Sequence, residues 1–424
     1  MQEKTGQSFF EWESIKINKY FPFAFIYFFI NAVALPFGLT YMALLAPFFY
    51  IWVLLKRKKE ILLPFIVILL PFVIIHITVV GVELKSYTIS LLNLLLVYVF
   101  CQAVYTFLCV CKDVEKIFRW ILVLNFICCL VAIPLYFTPY YHVLWDEQIL
   151  TEGVGRLRRL KLLTYEPSYY ALLFTPFFFF YLLQFFLKQN KLAGSLLLFM
   201  LFLPYLLSFS IGVMASVLFA LFFTWISYFK RLTSKRRITN AIITGVTVVA
   251  GAMLVLILFF RHNQLFTRIS NIFSGTDTSG KGRTIDAFIL AGKMLNGKNE
   301  YWGIGLGQVK IAGNSIISNY YLYNMDFVAT IPNAVAETMA IFGWVGVSIR
   351  ILIEVALFFF TSVWKNYYRL SLFLFMFIYQ FTGSFITNIA EYVIWILAFT
   401  NVFRQFDVHG NKESEATRTS QQPV

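Results

Sequence analysis

Long apolar runs alternate with short polar clusters along almost the whole chain. A helix that crosses about 30 Å of hydrocarbon needs about 20 mainly apolar residues, and most of these runs come close to that length. The pattern therefore predicts an all-α, polytopic membrane helical bundle with about 12 transmembrane helices, forming a single membrane domain over 1–424. The predicted spans are 20–36, 38–55, 61–81, 87–111, 117–137, 168–187, 192–208, 211–229, 240–260, 344–364, 370–386 and 390–405.

Composition supports this class and argues against a soluble one. Hydrophobic residues make up 59% of the 424 positions, and charged residues only 13%, against about 25% charged in a typical soluble domain. The five cysteines fall within or beside apolar runs with no zinc-type spacing, so they are expected to pack as small apolar side chains. The sequence predicts no metal site and no cofactor.

The net charge of +14 reflects orientation in the membrane more than a nucleic-acid surface, so no nucleic-acid partner is expected. With both termini in the cytoplasm, 22 of the 35 Lys and Arg residues fall in cytoplasmic segments. The short turns on the other side carry only Lys85. This distribution is the positive-inside pattern, which long loops do not have to follow.

Two long loops, 138–167 and 261–343, are predicted outside the cytoplasm on the same side of the membrane. Amphipathic runs at 283–296 and 331–343 predict helices lying at the membrane interface within the second loop. The polar tail 407–424 is expected to be a disordered cytoplasmic segment.

The first loop carries a cationic cluster on the side that the positive-inside rule disfavours: Arg156, Arg158, Arg159 and Lys161. Such a cluster can contact lipid headgroups, or it can form an anion site, because Arg binds phosphate with two parallel hydrogen bonds. Glu166 follows and directly precedes Pro167, a favourable first residue for a helix. From the sequence, Glu166 can be a general base or a helix cap.

The second loop contains two glycine-rich decoys. Gly275 to Lys281 has the outline of a phosphate-binding P-loop, but Gly282 replaces the Ser or Thr that binds magnesium and no buried strand precedes it. The run Gly303-Ile-Gly305-Leu-Gly307 lacks the strand context of a dinucleotide site for the same reason.

Two pairs of polar residues follow at helical spacing. Asn333 and Glu337 are four residues apart, as are Arg350 and Glu354, so each pair shares a helix face. Charges inside a span are costly and usually face an interior cavity. Arg350 can therefore form a structural ion pair with Glu354 or face a lipid-phosphate substrate.

At these positions the chain resembles the bacterial O-antigen polymerase family, the Wzy-type proteins, and is more distantly similar to O-antigen ligases. The resemblance rests on the basic loop leading into Glu166-Pro167-Ser168, on Gly282-Arg283 followed by Gly303 to Gln308, and on Pro332-Asn333 followed by Phe342-Gly343 and Gly346. Ligases carry a His directly before this Asn. Pro332 occupies that position here, which disfavours a ligase.

The resemblance implies a metal-independent glycosyltransferase of the bacterial inner membrane with its working face in the periplasm. The donor would be a growing glycan on undecaprenyl pyrophosphate, and the acceptor a repeat unit on the same carrier, with a chain-length regulator protein as a further partner. The roles expected are a catalytic base at Glu166 or Glu337, substrate contacts at Ser168, Tyr169 and Asn333, and pyrophosphate binding at Arg156, Arg158, Arg159, Arg283 and Arg350.

A different class remains open, namely a flippase or transporter for lipid-linked glycans. A flippase should line a cavity within its spans with basic residues, and transporters often contain inverted repeats. Here Arg350 is the one Arg inside a predicted span away from its ends, while most of the other non-cytoplasmic cations lie in the two long loops. This distribution favours chemistry at the outer leaflet.

Overall fold

The computed structural model describes most of the chain as α-helix with one small hairpin. The described residues are 18–31, 40–57, 61–148, 157–187, 194–232, 271, 274, 278–321 and 329–408.

The described chain contains 15 α-helices, two of which end in a π-helical turn, labelled here in chain order. They are α1 Phe21–Ile30, α2 Tyr41–Leu44, α3 Ala46–Arg57, α4 Leu62–Val80, α5 Leu84–Val110, α6 Val114–Leu135, α7 Pro167–Phe186, α8 Gly194–Ser208, α9 Ile211–Leu232, α10 Thr278–Arg283, α11 Ile285–Asn296, α12 Val309–Tyr321, α13 Ala334–Phe360, α14 Tyr367–Tyr379 and α15 Ile389–Phe399. Strands β1 (Trp145–Gln148) and β2 (Leu157–Leu160) form one antiparallel hairpin.

Side-chain caps set where several of these helices begin. The Asn333 side chain accepts a hydrogen bond from the Ala336 N–H at the start of α13, and Asn366 and Asn388 cap α14 and α15 in the same way. Asn is a favoured capping residue because its oxygen satisfies a backbone N–H that the helix leaves free. Proline, which lacks that N–H, begins α7 at Pro167.

The described parts of the two long loops lie at the same end of the bundle, called here the loop face. Asn333, at the start of α13, donates to the backbone oxygens of Arg283 in α10 and of Phe381 just after α14. At the opposite end, Glu115 accepts hydrogen bonds from Gln184 and Gln405. Successive long helices therefore alternate in direction between two ends, as spans of a membrane protein do.

Helix α7 lies at the centre of the bundle. Every residue from Pro167 to Gln184 is buried, and its phenylalanines pack edge to face against aromatic rings of α6, α8 and α14. A helix that is apolar on all sides has to be surrounded by other helices or by lipid. Here neighbouring helices provide that cover.

Five described helices are long and apolar enough to cross a membrane: α4, α5, α6, α7 and α13. Five shorter apolar helices accompany them, and large apolar side chains remain exposed on the outside of the bundle, such as Leu55 at 73% and Phe360 at 86%. An all-α bundle with membrane-spanning helices is thus supported. The count of 12 spans stays a prediction, and the span 240–260 lies outside the described residues.

The predicted interfacial helices differ in outcome. The run 283–296 is helical as α11, which begins at Ile285. The run 331–343 is not a separate helix: its residues from Ala334 onward form the first part of α13, and the span predicted to start at Trp344 continues that helix across a kink at Gly343. The predicted tail 407–424 begins with an ordered contact, since Asp407 accepts a hydrogen bond from Asn366; residues 409–424 lie outside the described chain.

The kink in α13 is built by the glycine-rich segment that resembled a dinucleotide motif. The N–H groups of Trp344 and Val345 donate to the oxygens of Glu300 and Tyr301, while those of Ile304 and Gly305 donate to Ala340 and Ile341. Gly303, Gly305 and Gly307 all have positive φ. These glycines let one backbone lie directly against another, so the motif has a packing role in this fold.

Replacing Gly343 by Ala should destabilise the protein by about 3 kcal/mol, the upper end of the cost of a strained non-Gly backbone. Gly343 has φ 65° and ψ −166°, and an added Cβ would lie 2.3 Å from the Tyr301 backbone oxygen. The measurement is thermal unfolding of the purified protein in detergent. Gly292→Ala is the control, because no atom lies within 4 Å of its added Cβ and Ala favours helix. Equal melting temperatures for the two variants would contradict this account of the kink.

Candidate functional site

The cationic cluster of the first loop is divided by strand β2. Successive side chains of a strand point to opposite faces, so Arg158 and Arg159 point in opposite directions. Arg158 lies over the Tyr141 ring, 3.8 Å from its centroid, donates to the Tyr136 backbone oxygen at 2.9 Å and is 3.7 Å from Glu147. Its main contacts therefore hold the hairpin together.

Arg159 is buried, with 5% exposure, and its Nε donates to the Ser208 backbone oxygen at the end of α8, at 3.1 Å. The contact is favourable because a helix C-terminus carries partial negative charge. Arg159 thus joins the hairpin to the bundle. Its positive charge also lies in the neighbourhood of Tyr379, at the end of α14. Arg156 lies outside the described residues.

Arg350 lies in a buried polar network rather than at an open surface. Its guanidinium donates to Glu354 at 3.2 Å, to Gln380 at 2.8 Å, to Thr338 at 3.2 Å and to Glu391. The structural ion pair considered from the sequence is present. A pyrophosphate at Arg350 would have to displace these acceptors, so the geometry does not favour the predicted role of Arg350 in pyrophosphate binding.

The Asn333 side chain is also fully used within the protein. Its oxygen caps α13, and its Nδ2 donates to the backbone oxygens of Arg283 at 2.8 Å and Phe381 at 2.6 Å. Both amide protons are committed, and the side chain has 0% exposure. Instead of the substrate contact expected from the sequence, Asn333 positions Arg283 relative to α13 and α14.

Glu337, one turn further along α13, accepts a hydrogen bond from the Ile386 N–H at 2.7 Å. This bond ties the segment after α14 to the start of α13. Glu337 is also close enough to Arg350, Glu391 and Lys310 to feel their charges. Glu337 thus lies next to the buried network around Arg350, whereas Glu166, the other candidate base, lies directly before α7.

Ser168 and Tyr169, both expected to contact substrate, are buried in the first turn of α7. The Tyr169 hydroxyl accepts a hydrogen bond from Asn31 at 3.3 Å, and its ring packs against Tyr165 with centroids 4.7 Å apart. Tyr169 is therefore held within the protein, and Tyr165, which packs against it, is the more exposed of the two rings.

Glu166 and Arg283 differ from these residues, because neither side chain has a hydrogen bond or ion pair with the described part of the chain. Both are half-buried. Glu166 immediately precedes α7, but its side chain does not cap the helix. Of the two roles that the sequence left open, general base and helix cap, the helix cap is therefore not observed. The charges of both act on the same two tyrosines, Tyr165 and Tyr379. Both groups therefore lie in the neighbourhood of these two tyrosines.

The segment that follows Arg283 is held in place by hydrogen bonds to α12. The Asp286 carboxylate, one turn along, accepts hydrogen bonds from Tyr320 and Tyr321 of α12, both at 2.9 Å. The hydrogen bond to Asp286 raises the pKa of the Tyr320 hydroxyl. These two hydrogen bonds join α11 to α12. Together with the bond from Asn333 to the Arg283 backbone oxygen, they fix the position of the Arg283 backbone.

Tyr379 is a member of this site that the sequence reasoning missed. It ends α14, is 3% exposed, and lies in the neighbourhood of the charges of Arg283, Glu166, Glu391 and Arg159. In the sequence it is one of 24 tyrosines, at the end of an ordinary apolar run. No local pattern distinguishes it, since its charged neighbours come from distant segments.

Arg283, Glu166 and Tyr379 therefore form the candidate site: a cation, a carboxylate and a phenol where the loops meet the bundle. A comparison of the chain with models of protein families, with curated proteins and with solved structures finds no match.

Proposed function

We propose that the protein is a membrane glycosyltransferase that polymerises lipid-linked saccharides at the loop face. In this proposal the donor is a glycan on undecaprenyl pyrophosphate, the acceptor is a repeat unit on the same carrier, and the loop face is periplasmic. The protein then lies in the bacterial inner membrane with both termini in the cytoplasm.

The observation that carries the proposal is the pair Arg283 and Glu166. Both charges lie in the neighbourhood of Tyr165 and Tyr379, yet the two side chains make no ion pair with each other and none within the described chain. A site for an anionic leaving group and a hydroxyl acceptor needs a cation and a carboxylate that are both free to bind them. The adjoining apolar helices suit a substrate whose lipid tail stays in the membrane.

The reaction assigns one role to each residue. The acceptor hydroxyl oxygen attacks the anomeric carbon of the donor, and the bond from that carbon to the phosphate oxygen breaks. The proton of the hydroxyl passes to the Glu166 carboxylate, and the electron pair leaves with the lipid pyrophosphate, whose growing negative charge is stabilised by Arg283. The step needs no redox partner.

The flippase alternative is less well supported by the same geometry. Arg350, the cation within α13, is bound by Glu354 and Glu391. This closed network does not leave Arg350 free to line a transport path.

Deletion of the gene, followed by separation of the surface glycans by chain length on a gel, tests the function. Loss of long chains with a single repeat unit still attached is the expected result. Loss of every repeat unit would instead indicate a ligase or a flippase, and an unchanged ladder would remove the polymerase proposal altogether. The deletion strain complemented with the intact gene is the control.

A further inference from the structure

A groove in the membrane-spanning part of the bundle separates α4 from α5 and α15. Its volume is about 290 Å³, and its walls include Phe65, Ile68 and Leu69 of α4, Val97 and Cys101 of α5, and Tyr392 of α15. Only 17% of the residues in the apolar stretch of α4 are buried, against 89% in α7. Helix α4 thus stands apart from the bundle along this groove, at a depth where lipid chains surround a membrane protein.

Contacts at its two ends hold α4 in this position. Toward the loop face, the His76 Nε2 donates a hydrogen bond to the Trp302 backbone oxygen at 2.7 Å. At the other end, the Tyr98 hydroxyl donates to the Ile61 backbone oxygen at 2.6 Å, and the Tyr98 ring packs against Phe65 with centroids 5.0 Å apart. The groove is therefore a fixed feature of the fold between two bonded ends.

The groove lies in the half of the membrane farther from the loop face. Helix α5 begins at the loop face, where the Ser86 hydroxyl donates to the Gly307 backbone oxygen of the second loop at 3.1 Å. Leu94 and Gln102 mark the two ends of the groove on α5. At the helical rise per residue they lie about 15 Å and about 27 Å from Leu84. One leaflet supplies about half of a hydrocarbon core that is about 30 Å thick, so an acyl chain held at the loop face ends where the groove starts.

Polar contacts close the groove at its cytoplasmic end. The Gln102 Oε1 accepts a hydrogen bond from the Arg57 Nη1 at 2.8 Å, and the Arg57 guanidinium lies over the Tyr105 ring, 5.0 Å from its centroid. These contacts join α3 to α5 at the level where the chains of the cytoplasmic leaflet begin. A chain that fills the groove therefore enters from the loop face and has to be longer than one leaflet.

Hydrogen bonds connect the wall of the groove to the candidate site. The Tyr392 hydroxyl donates to the Ile386 backbone oxygen at 2.7 Å. Ile386 belongs to the segment after α14, in which the Phe381 backbone oxygen accepts a hydrogen bond from Asn333. The same Asn333 amide donates to the Arg283 backbone oxygen. One short segment thus borders both the groove and the site at which the pyrophosphate is proposed to bind.

We propose that the groove between α4 and α5 holds the distal part of the polyprenyl chain of the lipid-linked substrate while its pyrophosphate lies at Arg283. This inference rests on the proposed function and assigns a site to the lipid part of its substrate. An undecaprenyl chain is much longer than an acyl chain, so it can reach from the loop face into the groove. Because the groove and the bilayer are both apolar, the chain gains dispersion contacts with the groove walls and no hydrophobic transfer energy.

Ile68→Trp tests the groove, because Ile68 lines it from α4 and is 48% exposed, so the larger ring enters the groove without entering the packed core. For a donor with the full polyprenyl chain, KM should rise about tenfold, the effect of losing about ten carbon contacts. The kcat should not change, since the groove is remote from the reacting atoms. A donor analogue with a short prenyl chain does not reach the groove, so its KM should be the same for the variant and the unchanged protein. The measurement is polymer formation by the purified protein in lipid nanodiscs.

Val67→Trp is the matched control, because Val67 precedes Ile68 on the same helix, is 61% exposed and is not among the described residues that line the groove. This variant should keep the KM of the unchanged protein for both donors. A photoreactive polyprenyl phosphate supplies a readout besides activity. It should label peptides of α4 or α5 in the unchanged protein, and a large excess of phospholipid should not displace it.

The outcomes separate the groove from the proposed function. If Ile68→Trp leaves the KM for the full-length donor unchanged, or if Val67→Trp raises it equally, the groove is not the chain site. An equal rise for the short donor would indicate distortion of the candidate site, and displacement of the label by phospholipid would indicate a site for any lipid chain; either result contradicts the proposal. If the unchanged protein elongates neither donor but is labelled in the groove, it is the proposed function that fails.

Discussion

Replacing Arg283 by Ala should lower the rate of polymerisation by about 10²–10³-fold, the effect of removing one group that stabilises charge developing in a transition state. The guanidinium has no ion pair in the described chain, so its removal leaves none of the described carboxylates without a partner. Folding and insertion should therefore be unaffected. The rate is measured as chain growth in membrane vesicles, and protein abundance is measured in the same membranes.

Lys281→Ala supplies the matched control for this variant. Lys281 is exposed, lies two residues before Arg283 in α10, and carries the same charge. Its loss tests whether any positive charge at this place is sufficient. Should Lys281→Ala and Arg283→Ala slow the reaction equally, the effect would be a general one of surface charge, and Arg283 would not be a specific leaving-group contact.

Replacing Arg350 by Met should destabilise the folded protein by about 3–5 kcal/mol, because it leaves buried carboxylates without their cation. The Glu391 side chain has 1% exposure and that of Glu354 has 8%. Both now bind the guanidinium, which also holds Gln380, the residue directly after Tyr379. Thermal unfolding in detergent and the amount of protein in the membrane measure the effect.

The double variant Arg350→Met with Glu391→Gln distinguishes a charge effect from a packing effect. Removing the closest carboxylate together with the cation takes away most of the uncompensated charge. The double variant should therefore be more stable than Arg350→Met alone. A double variant that is less stable than the single one would show that the network stabilises the fold by its shape and hydrogen bonds instead of by charge pairing.

Helix positions follow closely from the sequence. The apolar runs predicted α5, α6 and α7 within a few residues, and the amphipathic run 283–296 predicted α11. These features are local: the length of an apolar run, a capping Asn or a Pro at a helix start acts on its own segment. The boundary at Trp344 was displaced because the kink at Gly343 is made by backbone groups of Glu300 and Tyr301, which no local pattern reveals.

The candidate site was predicted only in part. Glu166 and Arg283 were both named from the sequence, and neither side chain has a hydrogen bond or ion pair with the described residues. Arg158, Arg350 and Asn333, named by the same reasoning, are engaged by protein groups. Residue type and membrane side can show that a cation is able to bind phosphate. They cannot show whether a protein carboxylate or carbonyl already binds it.

By itself, the sequence determined a helical membrane bundle, the positions of most of its described helices to within a few residues, and a pair of polar loops beyond the apolar runs. Hydrophobic length and local capping are sufficient for this, because each is decided within one segment. Only the tertiary structure decided which polar groups are satisfied within the protein and which are free. It divided the arginines of strand β2 between two faces and closed the network around Arg350, since these contacts join segments that are far apart in the chain.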